Sequence, residues 1–205
     1  MTTTAFIMSA LTVMSTCGDK PLVEMPESLK GNPLVEEWNT PYQTPPFSQI
    51  EYSHYEPAID YAIELNRAEI EAIVNNPEAP TFENTIVAME QSGQLLNRIT
   101  GVFFCINGCM TSPEMQQIAL NITPKLTELG NDISLNPELF ERVKAVYNQR
   151  KKLKLDREDM TLLENTYKSF ARSGALLEGE AKELYRQYSS ELSQLTLQFG
   201  QNALK

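Results

Sequence analysis

The sequence is short of histidine, cysteine, tryptophan and positive charge, and each shortage closes a class of chemistry. His54 is the only imidazole in 205 residues. No motif that binds zinc through two histidines can be built from it, and a serine or cysteine nucleophile has one candidate base. Basic side chains number 17 against 27 acidic ones, a net charge of −10 with histidine neutral. That balance argues against a nucleic-acid partner, because phosphate binding needs a positive surface. No apolar run reaches the roughly 20 residues of a membrane span. What the chain does have is apolar content, 41 % of its residues, enough to bury a sizeable core. Spacing and composition alone read as a soluble all-α domain with no visible active site.

The N-terminus reads as a targeting segment. Ala5 to Val13 form a short apolar run, followed by Met14-Ser15-Thr16-Cys17 and then polar Gly18-Asp19-Lys20. The run is too short for a bilayer and suits a signal-peptide core. A cysteine after small residues matches a bacterial lipoprotein signal over residues 1–17, with Cys17 as the lipid-attachment residue and a location in the cell envelope or periplasm. The alternative is an untargeted cytoplasmic N-terminus, since no Lys or Arg precedes the run and Thr16 replaces the usual Gly or Ala.

Residues 18–57 hold seven of the twelve prolines. Each proline lacks a donor N–H and biases its predecessor towards extended geometry, so regular helix is excluded here. Leu34, Val35, Trp38, Phe47 and Ile50 nevertheless make the segment too apolar for a free linker. Residues 18–52 are expected to form an extended arm lying on a helical domain over 53–205, with the single tryptophan packed against it.

Helical periodicity begins at Ser53. Ser53-x-x-Glu56 has the form of a capping box with Pro57 in the first turn, and apolar residues from Ile59 to Val74 recur at three- and four-residue steps. Thr81 opens a second helix, expected to run unbroken from 82 to about 107, with Gly93 and Gly101 marking close approach of a neighbour. Ser112-Pro113-Glu114 and Asn136-Pro137-Glu138 repeat one start signal: a capping side chain, proline at N1, and an acid near the positive helix end. Pro124 predicts a kink, Asp156 caps a further helix and Gly174 breaks it. The last helix carries Ala181, Leu184, Tyr188, Leu192, Leu195 and Phe199 on one face. About six helices joined by short loops make an all-α multi-helix bundle.

Few residues offer chemistry. Cys105 and Cys109, four apart on a helix, read as small core residues; a metal site would need two further ligands. His54 has no nucleophile motif beside it and reads as structural or solvated. Residues 141–157 hold seven basic groups against Glu141 and Asp156. They read as a solvated helix end, or as a surface for an anionic partner or an acidic face of another domain. No catalytic and no metal residue is assigned.

A longer pattern is more specific. Asn75-Asn76-Pro77-Glu78-Ala79-Pro80-Thr81-Phe82-Glu83-Asn84-Thr85-Ile86-Val87-Ala88-Met89-Glu90, followed by Ser92-Gly93, resembles a stretch of the thimet-oligopeptidase-like zinc metallopeptidases, above all their bacterial peptidyl-dipeptidase (Dcp-like) branch. Pro45-Pro46-Phe47, Pro124-Lys125-Leu126, Leu135 to Val143, Glu191-Leu192-Ser193 and Phe199 to Asn202 extend the resemblance collinearly over residues 32–205. It implies the N-terminal helical part of a two-lobed zinc peptidase that removes C-terminal dipeptides from short peptides. The family's zinc is held by a His-Glu-x-x-His motif whose Glu activates water. With one histidine present, none of those residues transfers. The resemblance therefore implies a fragment truncated at its C-terminal end, with no cofactor of its own, inactive alone and partnered by a missing C-terminal catalytic lobe. The final helix would then expose Leu192, Leu195 and Phe199, or another apolar strip. The alternative reading is a non-catalytic helical interaction module.

Overall fold

The computed structural model describes residues 22–203; the targeting segment and Cys17 lie outside them. Six helices of 13 to 25 residues form the fold: α1 (Tyr55–Val74), α3 (Gln94–Cys109), α4 (Pro113–Ser134), α5 (Pro137–Gln149), α6 (Arg157–Arg172) and α7 (Gly179–Ala203). A four-residue α2 (Ala88–Gln91) precedes α3. No strand occurs among the described residues.

Helix α1 is the spine, because it serves two cores. Its first half places Tyr55, Ala58, Ile59, Ala62 and Ile63 against Leu96, Ile99 and Phe103 of α3 and Met115, Ala119 and Ile122 of α4. Its last turns place Ile70 and Ile73 in a second core with Phe82, Ile86, Leu139, Phe140, Val143, Leu163 and Phe170. Helix α7 lies on α4.

The local start signals act as expected. Ser112 accepts the Met115 N–H at 3.2 Å, Asn136 the Leu139 N–H at 2.9 Å and Asp156 the Asp159 N–H at 2.9 Å. Each satisfies a donor that the first turn leaves orphaned. Helix α4 continues through Pro124. The proline forfeits only its own bond to the carbonyl four residues back, and that residue, Leu120, is exposed to water.

Four expectations are corrected. The start of α1 is organised not by Ser53 and Glu56 but by a 3₁₀ turn, Tyr52–His54, in which the Glu51 N–H donates to His54 Nδ1 at 3.0 Å. Glu56 instead accepts from Asn121 of α4 at 3.0 Å. The helix expected over 82–107 is broken: a π-helical turn, Phe82–Val87, leads into α2, and Gly93 turns the chain at φ +68°. The Gly93 N–H donates to Glu69 Oε2 at 2.7 Å, and a Cβ there would meet Asn66 at 3.0 Å. The neighbour expected at Gly93 is thus real, whereas nothing lies within 4 Å of a Cβ at Gly101. Cys105 and Cys109 are exposed, not core. The last fully buried residue of α3 is Phe103; Cys105 lies about 200° round the helix from it, and Cys109 sits beyond the packed turns.

Between 22 and 54 the chain forms short 3₁₀ turns, Glu27–Leu29, Pro41–Gln43, Phe47–Gln49 and Tyr52–His54. Leu29 and Leu34 are buried, and Trp38 is half-buried against the first core. Arg98 of α3 holds the segment down. Its Nη2 donates to the carbonyls of Leu34 and Glu36 at 3.0 and 3.1 Å, and its guanidinium lies 4.7 Å from the Trp38 ring centre. Burial lowers the Arg98 pKa, against an opposing pull from Glu37.

Candidate functional surface

No cluster of three or more His, Cys, Asp or Glu is placed to hold a metal ion among the described residues. His54 is committed to the start of α1: its Nδ1 accepts from Glu51, and its carbonyl accepts from Asn32 Nδ2 at 3.0 Å. These residues do not fit a zinc centre.

The two longest stretches that carry the peptidase resemblance meet in space. Arg142, from the Leu135–Val143 stretch, is buried against the 75–90 stretch. Its Nη1 donates to the carbonyls of Asn76 and Glu78 at 3.0 and 3.4 Å, and its Nη2 to Asn84 Oδ1 at 3.2 Å. Asn84 also completes a capping box with Thr81, accepting the Thr81 N–H at 2.8 Å while Thr81 Oγ1 accepts the Asn84 N–H at 3.0 Å. Together these bonds make a polar latch between the Asn75–Thr81 loop and α5. Sequence reasoning counted Arg142 among the solvated basic groups. The hint it lacked is a position between Phe140 and Val143, both on the buried face.

The rest of the basic stretch divides in the same way. Lys144 pairs with Glu141 at 2.9 Å. Arg150 lies 4.0 Å from the Tyr147 ring centre and donates to the Tyr147 carbonyl at 3.0 Å. Lys151, Lys152, Lys154 and Arg157 are exposed and form the remaining positive surface.

An open groove of about 350 Å³ runs between α1 and the junction of α4 and α5. At its edge Asp132 of α4 is gripped by Arg67 of α1 and by Arg186 of α7, the latter at 2.8 Å. Burial alone would raise the Asp132 pKa. The hydrogen bonds and charges of Arg186 and Arg67 outweigh it and hold the carboxyl below the ordinary aspartate value. The carboxylate is spent on tying three helices together, so the groove holds no free acid or base from it.

Helix α7 presents the most unusual surface. Its inner face, with Arg186, Ser189, Ser190, Ser193, Leu197 and Gln201, is the half-buried one. Leu197 reaches the first core, and Gln201 donates to the Gln116 carbonyl at 3.5 Å. Its outer face carries Leu184, Tyr188, Leu192, Leu195 and Phe199, all exposed, with Phe199 at 75 %. The expected exposure of Leu192, Leu195 and Phe199 is observed, and it extends two turns further back.

Against known proteins, no family model matches. The chain is 43% identical over 173 residues to the dipeptidyl carboxypeptidase of Salmonella typhimurium and, to the same degree, to that of Escherichia coli. Each match covers 84% of this chain and 25% of the relative. Oligopeptidase A of Haemophilus influenzae is 28% identical over 160 residues, 78% of this chain and 23% of that protein. The chain therefore spans about a quarter of the length of the curated relatives it matches, and the quarter matched is the N-terminal one.

Proposed function

We propose, from this homology to the N-terminal quarter of dipeptidyl carboxypeptidases, that the chain is the helical N-terminal region of a peptidyl-dipeptidase acting on short peptides. The observation that carries the reading is the match itself: 43% identity along most of this chain but a quarter of the relative. In this reading the helices form one wall of a substrate channel and restrict entry to short, unfolded peptides. Zinc and the water-activating Glu belong to the downstream catalytic lobe, and no residue described here takes a chemical step. The purified chain releases no dipeptides from short peptides, with or without added zinc. Zinc-dependent release by these 205 residues would contradict the reading.

We further propose that residues 1–17 direct the protein to the cell envelope, with Cys17 lipidated. The apolar run ending at a cysteine supports this. Labelled fatty acid fed to the expressing bacterium is expected to enter the wild-type protein and not Cys17→Ser. Equal labelling of the two, or none of the wild type, would count against it.

A further inference from the structure

Cys105 and Cys109 are out of place for their residue type. Cysteine is among the residues most often buried, yet both of these are exposed and both are free. They stand four residues apart in the last turns of α3, about 40° apart around the helix axis and about 6 Å apart along it. On one face at that spacing, their Cβ atoms are roughly 5–6 Å apart. Met110 follows directly. It ends the helix at φ −140° and ψ 48°, and it is 72 % exposed. Its unbranched side chain, with three rotatable bonds, can bring the thioether sulfur back towards the two thiols.

The spacing decides what the pair can do. A disulfide needs Cβ atoms about 3.5–4.5 Å apart. One helical turn holds them farther apart than that, so the thiols do not close on each other without distorting α3. A metal ion between the sulfurs replaces one S–S bond of about 2.05 Å with two metal–sulfur bonds, each about 2.3 Å if zinc–thiolate is the measure. That longer bridge spans the turn.

The donor set then chooses the ion. Structural zinc takes four ligands, and no cluster of three or more His, Cys, Asp or Glu is placed to hold a metal ion among the described residues. Hard cations take oxygen ligands, carboxylates above all. From Ile99 to Pro113 the sequence has no charged side chain, so this stretch supplies no carboxylate. Thiolate and thioether sulfur are the soft ligands that select Cu(I), and a closed-shell monovalent ion accepts two or three of them.

We propose that Cys105, Cys109 and Met110 form a surface site for a soft monovalent metal ion, Cu(I). The two thiolates are the principal ligands and the thioether is the third. Binding is ligand exchange with no change of oxidation state. Two S–H bonds release their protons to solvent and two Cu–S bonds form, which leaves the centre with one net negative charge. The site needs no downstream chain and stands apart from the peptidase reading.

The test titrates the reduced 205-residue chain, carrying Cys17→Ser to remove the third thiol, with Cu(I) under anaerobic conditions. A chromogenic Cu(I) chelator, bathocuproine disulfonate, competes for the ion. One ion bound per chain is expected, with two protons released and the sedimentation coefficient unchanged. In this background Cys105→Ser and Cys109→Ser are each expected to weaken binding at least about 100-fold, because one of two thiolates is lost. Met110→Leu is expected to weaken it about 10-fold, as a thioether is the weaker donor. Asn107→Cys/Cys109→Ser keeps two thiols but sets them about 200° apart around the helix, and is expected to bind as weakly as the single cysteine variants. All these positions are exposed or half-buried at the end of α3, so circular dichroism stays that of the parent chain. Failure of the parent chain to take one ion from the chelator would overturn the site. So would undiminished binding by either single cysteine variant or by the relocated pair, an ion that joins two chains into a faster-sedimenting species, or Zn(II) held as tightly as Cu(I).

Discussion

Arg142 donates three hydrogen bonds inside the fold, two of them to the carbonyls of Asn76 and Glu78, while its Nε has no partner. Those carbonyls sit in a loop whose prolines, Pro77 and Pro80, cannot supply replacement donors. Arg142→Met is therefore expected to lower stability by about 2 kcal/mol or more, since buried acceptors lose a charged donor. Arg142→Lys is not expected to restore it, because an ammonium lacks the planar fork that reaches separate acceptors. Urea denaturation of the three proteins measures both effects; a midpoint unchanged in Arg142→Met would contradict this role. Residue type alone misassigned this side chain. Arg142 shares its sequence neighbourhood with Lys151, Lys152 and Lys154, yet only its helix face decides that it is buried. Cys105 shows the converse: a residue type usually found inside, placed on the outer side of α3.

Among the elements, what could be read in advance was what is local. The caps at Ser112, Asn136 and Asp156 need only a side chain and the N–H three residues on, so their helices start where expected. The break before α3 could not be read, because Gly93 is turned by a carboxylate, Glu69, that lies 24 residues away in sequence. The apolar stripe of α7 was legible as periodicity and its exposure was implied by the resemblance; what could not be read is the clamp beneath the helix, because Asp132, Arg67 and Arg186 lie on three different helices. This clamp has a pH signature. The folded carboxyl has a lowered pKa, so folding favours its ionised form. Its stabilisation is complete above the ordinary aspartate value of about 3.9 and disappears as pH falls through the lower folded value. Asp132→Asn is thus expected to be less stable than wild type near neutral pH, with the gap closing in acid. Urea midpoints from about pH 7 to about pH 3 follow this; a gap that stays constant or widens in acid would exclude the clamp. All three side chains are about one-third exposed, and the effect is correspondingly modest.

For the whole molecule, the lone histidine and the exposed stripe of α7 both agree with the proposed peptidase reading. The described helices hold two cores and no cluster of three or more His, Cys, Asp or Glu placed to hold a metal ion, and the relatives are about four times as long as the aligned region. On the proposed reading, a wall that restricts the entry of peptides needs no reactive side chain, but it needs a surface on which the rest of the enzyme seats. The direct measurement is dipeptide release from a short peptide by this chain, by the downstream three quarters of the Escherichia coli dipeptidyl carboxypeptidase, and by the two together. The account predicts release by the pair well above the sum of the parts, and none from this chain alone. Release by the chain alone, or a pair no more active than the downstream fragment by itself, would contradict it.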